Sequence, residues 1–267
     1  MDLPDQEWVR RVVERYTADP SAYRDCWAPV LVTLSARLAR RLPLGAARRV
    51  LDLGAGTGAL LPELRGLAPR ADVVAADVTE AMLREADPST PRVVADAQHL
   101  PFAADTFDVV VMAFMLFHLP DPVAGLREAR RVLGPGGSVG VATWTDHDLC
   151  PPLAAWEEEL DAHGAAPTPS LSAHERTDAP EKVRGLVEAA GLEMLSVETA
   201  RANVRLSRDE FWGQRVRLST SRERLASLDE VARAACLAAV GKRLDALPDT
   251  AFVDRSEAVL AVARVPI

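Results

Sequence analysis

Cysteine is scarce in this sequence, lysine is nearly absent, and an excess of positive charge is missing altogether. The three cysteines, Cys26, Cys150 and Cys236, lie far apart among 267 residues, so neither a CxxC metal site nor a disulfide framework is expected. Two lysines, Lys182 and Lys242, stand among 31 basic residues, and 39 acidic residues leave a net charge of -8. That balance speaks against a nucleic-acid partner, because phosphates call for a basic face and the arginines are scattered. No run of about 18 uninterrupted apolar residues occurs, so no membrane span is expected. The opening MDLPDQEWVRR lacks the basic-then-apolar order of a secretion signal, which makes a reducing, cytoplasmic compartment the expectation. What is present, 48% apolar and 26% charged residues, is the composition of a soluble globular protein. Its length suits one large α/β domain or two small ones.

Periodicity divides the chain. Residues 5–42 read as helical, with Trp8, Val12, Val13 and Tyr16 at helical spacing and a break at Asp19-Pro20-Ser21. From Arg48 onward, short apolar runs at 50–53, 73–76, 93–95, 107–113 and 138–143 alternate with helix-like segments at 57–67, 79–86 and 121–133. Buried runs alternating with helices indicate βαβ units and a mostly parallel sheet covered on both faces. The crossover between Ala95 and Phe107 has room for only a short helix or none. Further on, a helix is expected near Pro152–Ala162 and another over 180–190, then a strand over 192–206, helix over 208–247 and a last strand over 256–265. The expected fold is thus α/β and Rossmann-like, a seven-stranded, mostly parallel sheet whose late helical insertion resembles a lid.

The first strand ends in VLDLGAGTGA, residues 50–59. Gly54 permits a tight turn and Gly56 lets backbone N–H groups approach a ligand. Gly54, Gly56 and Ala59 formally satisfy the dinucleotide pattern G-x-G-x-x-G/A, so a nicotinamide cofactor has to be weighed. The acids favour another ligand. A carboxylate at Asp52 would oppose a pyrophosphate by roughly 4 kcal/mol per charge pair at about 4 Å, yet would attract an ammonium group. Asp77 ends the second strand, where an acid accepts from both ribose hydroxyls. Asp96 ends the third, positioned to accept from an exocyclic adenine amine while Ala97 leaves room for the ring. Amino acid, ribose and adenine in that order describe S-adenosylmethionine.

With VLDLGAGTG (50–58), VVAADVTEAML (73–83), VVADAQHLPF (93–102), FDVVVMAFMLFHLPDP (107–122) and EARRVLGPGGSVGVATW (128–144), the chain resembles the class I S-adenosylmethionine-dependent methyltransferases, in particular the ubiquinone/menaquinone methylase-like group. The resemblance covers residues 45–145 and is specific for fold and cofactor rather than acceptor. It implies a single methyltransferase domain over 1–267, with an N-terminal helical lid (1–45), a cofactor core (46–145) and substrate-side lid insertions (146–180 and 208–247). It also implies that Gly54, Ala55 and Gly56 approach the methionine part while Asp52 organises the loop. Asp77 with Val78 would hold the ribose, Asp96 and Ala97 would flank the adenine, and Met112 would offer its carbonyl to the ammonium. Tyr16, Tyr23 and Trp27 are candidate lid aromatics over the cofactor. The group's paired histidines after the fourth strand become Phe117-His118 here, which rules out a base at 117.

For His118 two readings stand, a packed, hydrogen-bonded residue or a catalytic base that contacts substrate. Phe114, Phe117, Trp144, His147 and Trp212 are candidate acceptor contacts. Phe211 and Trp212 diverge by about 100° on one helix, so one is expected to pack inward while the other reaches the crevice. Apolar walls of that kind favour an apolar or cyclic acceptor, methylated on oxygen or nitrogen in preference to carbon. Arginines at 215, 217, 222 and 224 keep an anionic acceptor open. Asp146-His147-Asp148 cannot easily converge on one ion, so no metal is expected. The expected reaction is methyl transfer to a small molecule, with S-adenosylhomocysteine as product, by a monomer or homodimer. A cyclase that retains the cofactor without methylating, and a regulatory subunit with a vestigial site, are the alternatives.

Overall fold

The computed structural model describes residues 4–145, 150–168 and 171–267. Its strands are β1 (Arg49–Leu53), β2 (Asp72–Asp77), β3 (Arg92–Val94), β4 (Phe107–Ala113), β5 (Leu133–Trp144), β6 (Glu193–Arg205) and β7 (Val253–Arg264). They form one sheet in the order β3-β2-β1-β4-β5-β7-β6. The first five pair in parallel, and β7 runs antiparallel to β5 and β6. Because the order reverses after β1, the carboxyl ends of β1 and β4 diverge and leave a crevice.

Both faces of the central strands are buried, as their near-continuous apolar runs require. Val50 and Val111 face α3 (Ala28–Ala39) through Leu34 and Leu38, alongside α4 (Leu61–Leu67). Leu51, Val110 and Met112 face the other way, onto Leu126 of α6 (Pro122–Val132) and Val183 and Val187 of α8 (Pro180–Ala189). Asp121 caps α6 by accepting from Val123 N and Ala124 N, just ahead of Pro122. The β3–β4 connection carries turns and no helix.

Two expected helices are shorter than their patterns suggested. The one read over 57–67 begins at Leu61, because Gly58 has φ +76°, outside helical space. A Cβ at Gly58 would stand 2.7 Å from Leu61 Cδ1 and 2.8 Å from Ala86 Cβ, so the turn packs too closely for a side chain. The other is α5 (Glu80–Arg84), trimmed at both ends.

Ahead of the sheet, α1 (Asp5–Thr17) is followed by α2 (Pro20–Ala22), a π-turn at Tyr23–Trp27 and α3, the last three running without interruption. Asp19 starts that run by accepting from Ala22 N at 2.9 Å. Between β6 and β7 the chain makes an excursion through α9 (Arg208–Arg217), α10 (Ser219–Ala226) and α11 (Glu230–Asp245). A capping box of Ser207 with Glu210 starts α9, and Asp229 starts α11. These helices join α7 (Pro151–Ala162) around a separate apolar cluster centred on fully buried Trp156. Arg224 ties α10 to Glu157 and Asp161 of α7, and Arg243 ties α11 to Glu158. Among the described residues, no helix is long and apolar enough to cross a membrane.

Candidate active site

A cavity of about 690 Å³ lies at the carboxyl ends of β1, β2 and β4. The loop after β1 supplies Gly54 and Gly56, the end of β2 supplies Asp77 and Val78, and the turn after β3 supplies Asp96 and Ala97. Gly54 has φ +74°, and a Cβ there would stand 2.5 Å from Met115 Cβ. Only glycine fits that position. Asp77 Oδ2 accepts from Gly56 N and Oδ1 from Thr79 N, both at 2.8 Å, so this carboxylate holds the glycine loop in place. Each oxygen accepts one such bond, which leaves lone pairs for a ligand. Burial raises the Asp77 pKa while the Thr79 and Gly56 amides act against the rise.

Asp52 faces a different space. With Ala55, Ser35 and Thr57 it borders a smaller cavity of about 410 Å³ on the α3 side of the loop. It is 2% exposed, its Oδ2 has no hydrogen-bond partner, and neither has Thr57 Oγ1. Burial, and then the nearby Asp77 carboxylate, push its pKa to about 7. Gly54, Gly56, Tyr23 and Phe114 border both cavities, so the two sit on opposite sides of one glycine turn.

The roof of the larger cavity comes from α1 and the π-turn. Val9, Val12 and Tyr16 project from α1, and Tyr23 from the π-turn, with Tyr16 and Tyr23 in edge contact at 5.7 Å. Tyr16 Oη lies 2.8 Å from His118 Nε2, and His118 Nδ1 lies 3.1 Å from the Leu171 carbonyl. A carbonyl only accepts, so Nδ1 carries the proton and Nε2 accepts from the Tyr16 hydroxyl. Burial lowers the His118 pKa to about 4. The imidazole is neutral at pH 7 and a weak base. Trp8 Nε1 donates to the His118 carbonyl at 2.8 Å, fastening α1 to the same turn.

Several expected contacts lie elsewhere. Met112 is fully buried within β4 and borders neither cavity; Ala113, Phe114 and Met115 just beyond it do. Phe117 is 7% exposed and packs behind the His118 ring at 4.3 Å, so it backs the wall without being part of it. Trp144 stacks on Phe114 at 4.1 Å and stands 6.2 Å from Trp27, one layer back from the cavity. Trp212 does not reach the crevice. Trp156 lies against both neighbours, 5.5 Å from Trp212 and 6.4 Å from Phe211, so the two adjacent aromatics share one cluster in spite of their angular separation. The expectation failed because α9 is covered on more than one side. His147, with Asp146 and Asp148, lies outside the described residues. Among the described residues no group of three or more His, Cys, Asp or Glu side chains is arranged to hold a metal ion.

The sequence reading missed a second cavity, of about 730 Å³, that shares Tyr16 and Tyr23 with the first as lining residues. Trp27, Gln214, Arg215 and Leu218 line it. Its signal was available in part: Gln214 and Leu218 are four apart on the helical pattern, but no periodicity says which neighbour a helix will face.

A family model described as a methyltransferase domain matches residues 51–141. The demethylmenaquinone methyltransferase of Corynebacterium urealyticum is 44% identical over 110 residues, 41% of this chain and 47% of that protein. That of Clavibacter sepedonicus is 39% identical over 132 residues, 47% of this chain and 51% of that protein. The chain thus spans about half the length of the curated relatives it matches. Among solved structures, the [4+2]-cyclase SpnF is similar at TM-score 0.60 and 20% identity, with 97% of each chain covered. A Haemonchus contortus phosphoethanolamine N-methyltransferase, bound to phosphomonomethylethanolamine and S-adenosylhomocysteine, is similar at TM-score 0.56 and 17% identity, over 100% of this chain and 61% of that one. At such identities the structures establish the fold. Fold, motifs and the match over 51–141 agree on a methyltransferase domain in that part of the chain. Over the matched residues the chain is similar to the demethylmenaquinone methyltransferases named above.

Proposed function

We propose that this chain transfers a methyl group from S-adenosylmethionine to a small cyclic acceptor, with the donor in the cavity at the strand ends and the acceptor in the neighbouring one lined by Tyr16 and Tyr23. The observation that carries the reading is that Tyr16 and Tyr23 line both cavities, next to the turn anchored by Asp77.

The residues present fit the cofactor. Asp77 keeps lone pairs for ribose hydroxyls, Ala97 is too small to obstruct a ring, and the buried Asp52 carboxyl, with one oxygen unpartnered, backs the glycine turn from the other side. S-adenosylmethionine supplies an activated sulfonium methyl. The protein's part is to align an acceptor with that methyl at about 3–3.5 Å and to keep water out. Val9, Val12 and Tyr16 of α1 serve the second task as a lid. Residues 1–45 are read as that lid, and 208–247 as the acceptor-side insertion.

His118 positions rather than deprotonates. Its Nε2 holds the Tyr16 hydroxyl at the junction, and its pKa near 4 makes it a poor base at neutral pH. An acceptor that needs no strong base, a neutral nitrogen or an already ionised oxygen, suits the site best. The ring acceptors implied by the names of the demethylmenaquinone relatives agree with a cyclic substrate, and the aromatic wall of Tyr16, Tyr23 and Trp27 supports one.

The test is release of S-adenosylhomocysteine that depends on acceptor, across phenols, quinols and cyclic amines. Stoichiometric release supports methyl transfer. Consumption of an acceptor with no release would replace it with non-methylating chemistry on the same cofactor-bound fold.

A further inference from the structure

The π-turn at Tyr23–Trp27 interrupts a run that is otherwise α-helical from Pro20 to Ala39. Ala28 N donates to the Tyr23 carbonyl, five residues back, so this turn holds one residue more than an α-helical turn. The consequence is angular. Each residue of an α-helix advances the chain by about 100°, so the extra one sets where Tyr23 points relative to α3. It points at the glycine turn. A Cβ on Gly56 would stand 3.8 Å from Tyr23 Cε1, and both residues line the cavity that holds Asp77.

What grips the turn comes from far along the chain. Gln214 of α9 is 2% exposed, and its Nε2 donates to the Cys26 carbonyl inside the π-turn at 2.7 Å. Gly213 lies against the same residue, where a Cβ would stand 3.9 Å from Cys26 Sγ. Three residues beyond Gln214, Arg217 pairs with Asp19 at 3.1 and 3.2 Å, and Asp19 accepts from Ala22 N where the run begins. The two ties differ in weight. The Arg217–Asp19 pair is partly open to water, and such pairs contribute little. The Gln214 amide is enclosed, so breaking its bond to Cys26 leaves polar groups that water does not readily satisfy. Among the described residues, none of α9 lines the cavity that holds Asp77.

We propose that Gln214 is a positioning residue for the methyl donor: by holding the Cys26 carbonyl it keeps the turn in its π form, and so keeps the Tyr23 ring over the glycine turn against the bound cofactor. This rests on the assignment of the donor to the cavity at the strand ends. Without the bond the turn is free to relax to i→i+4 pairing, which rotates Tyr23 away from Gly56 and removes one wall from the donor. Tyr16 meets Tyr23 edge-on at 5.7 Å, so it supports the ring without fixing the backbone beneath it. Gln214 also lines the neighbouring cavity assigned to the acceptor. One side chain thus joins the acceptor's wall to the aromatic that covers the donor.

The test is a double-mutant cycle, read by calorimetric titration of S-adenosylhomocysteine into the full chain. Gln214→Met keeps the length of the side chain and removes the amide that donates. Gln214→Met and Tyr23→Ala should each weaken binding at least five-fold. In the Tyr23→Ala background, Gln214→Met should change affinity less than two-fold, because the ring it acts through is gone. A general structural role would cost the same in both backgrounds. A loss below five-fold in either single variant, or of two-fold or more from Gln214→Met in the Tyr23→Ala background, would overturn the proposal. If Gln214→Met does not fold, hydrogen exchange of the wild type decides. S-adenosylhomocysteine should then slow exchange at Arg208–Arg217 together with Tyr23–Trp27, and α9 left unaffected would overturn the proposal. A wild type that binds no S-adenosylhomocysteine would instead overturn the donor assignment beneath it.

Discussion

The parallel strands and turns of residues 46–145 and the helical excursion of α9–α11 are built by different means. In the first, position is set by backbone: strand ends, glycines at positive φ, and an acid whose oxygens hold two amides. In the second, side chains set position, through a cluster around Trp156 and ion pairs such as Arg224 with Glu157. Backbone requirements restrict which residue can occupy a position, so they leave a mark in sequence. A helix packed by side chains accepts many apolar residues, and what it faces depends on tertiary contacts that no local pattern records.

The strongest way to break this comparison is to remove the centre of the excursion. Trp156→Ala should cost about 3–5 kcal/mol, since a fully buried ring is lost. Hydrogen exchange should show the loss concentrated in α7 and α9–α11, with β1 and β4 still protected. Uniform loss of protection would mean that the two regions fold as one unit.

Next in size is a pH effect confined to residues 46–145. The Asp52 pKa rises from 3.8 to about 7 in the folded protein, so between those values the native state holds a proton that the unfolded chain has released. Stability from this group is full below about pH 4 and is lost as pH rises through 7, on the order of 4 kcal/mol in all. His118 acts with the opposite sign: its folded pKa of about 4, below 6.5, costs stability as pH falls from about 6.5 to 4. Urea titrations of wild type and Asp52→Asn at pH 5 and 8 separate the two, because only the wild type should carry the Asp52 slope. Parallel profiles would contradict the burial argument for Asp52.

Smaller, and opposite in sign between the regions, are two glycine replacements. Gly58→Ala should cost about 2–3 kcal/mol, from the left-handed conformation and the contacts below 3 Å with Leu61 and Ala86. Gly241→Ala, within α11, should stabilise by about 0.4–1 kcal/mol, because the new methyl meets only Trp212 Cζ3 at 4.0 Å. Thermal melts of the two variants should shift in opposite directions. A destabilising Gly241→Ala would show that the excursion is also tightly specified.

The same division governs what could be read before any coordinates. The alternation of buried runs and helices, the reversal of order at β1, and the clustering of Gly54, Gly56, Asp77, Asp96 and Ala97 were all legible, because each follows from a strand end or a turn. Asp52 was legible as an acid near the loop, but its placement in a separate cavity was not, since that depends on which face of β1 meets α3. Trp212 and Phe117 were misplaced for a related reason. Aromatics near a crevice fit equally well in its wall or behind it, and only the packing of Trp156 and His118 decides. Of the four grouped arginines in sequence, Arg217 and Arg224 are tied to carboxylates of other elements, Asp19 and Glu157, which no local pattern records. The tautomer of His118 likewise required the Leu171 carbonyl, 53 residues away.

In the proposed function, Asp77 and the glycine turn it holds bind S-adenosylmethionine. Calorimetric titration of S-adenosylhomocysteine into wild type, Asp77→Asn and Asp77→Ala tests it most directly. Two charge-assisted hydrogen bonds of about 1.5–3 kcal/mol each, partly offset by water, predict a loss of roughly 2–4 kcal/mol in Asp77→Ala and a smaller loss in Asp77→Asn. Unchanged affinity in a folded Asp77→Ala, or a wild type that takes up no ligand, would contradict the account.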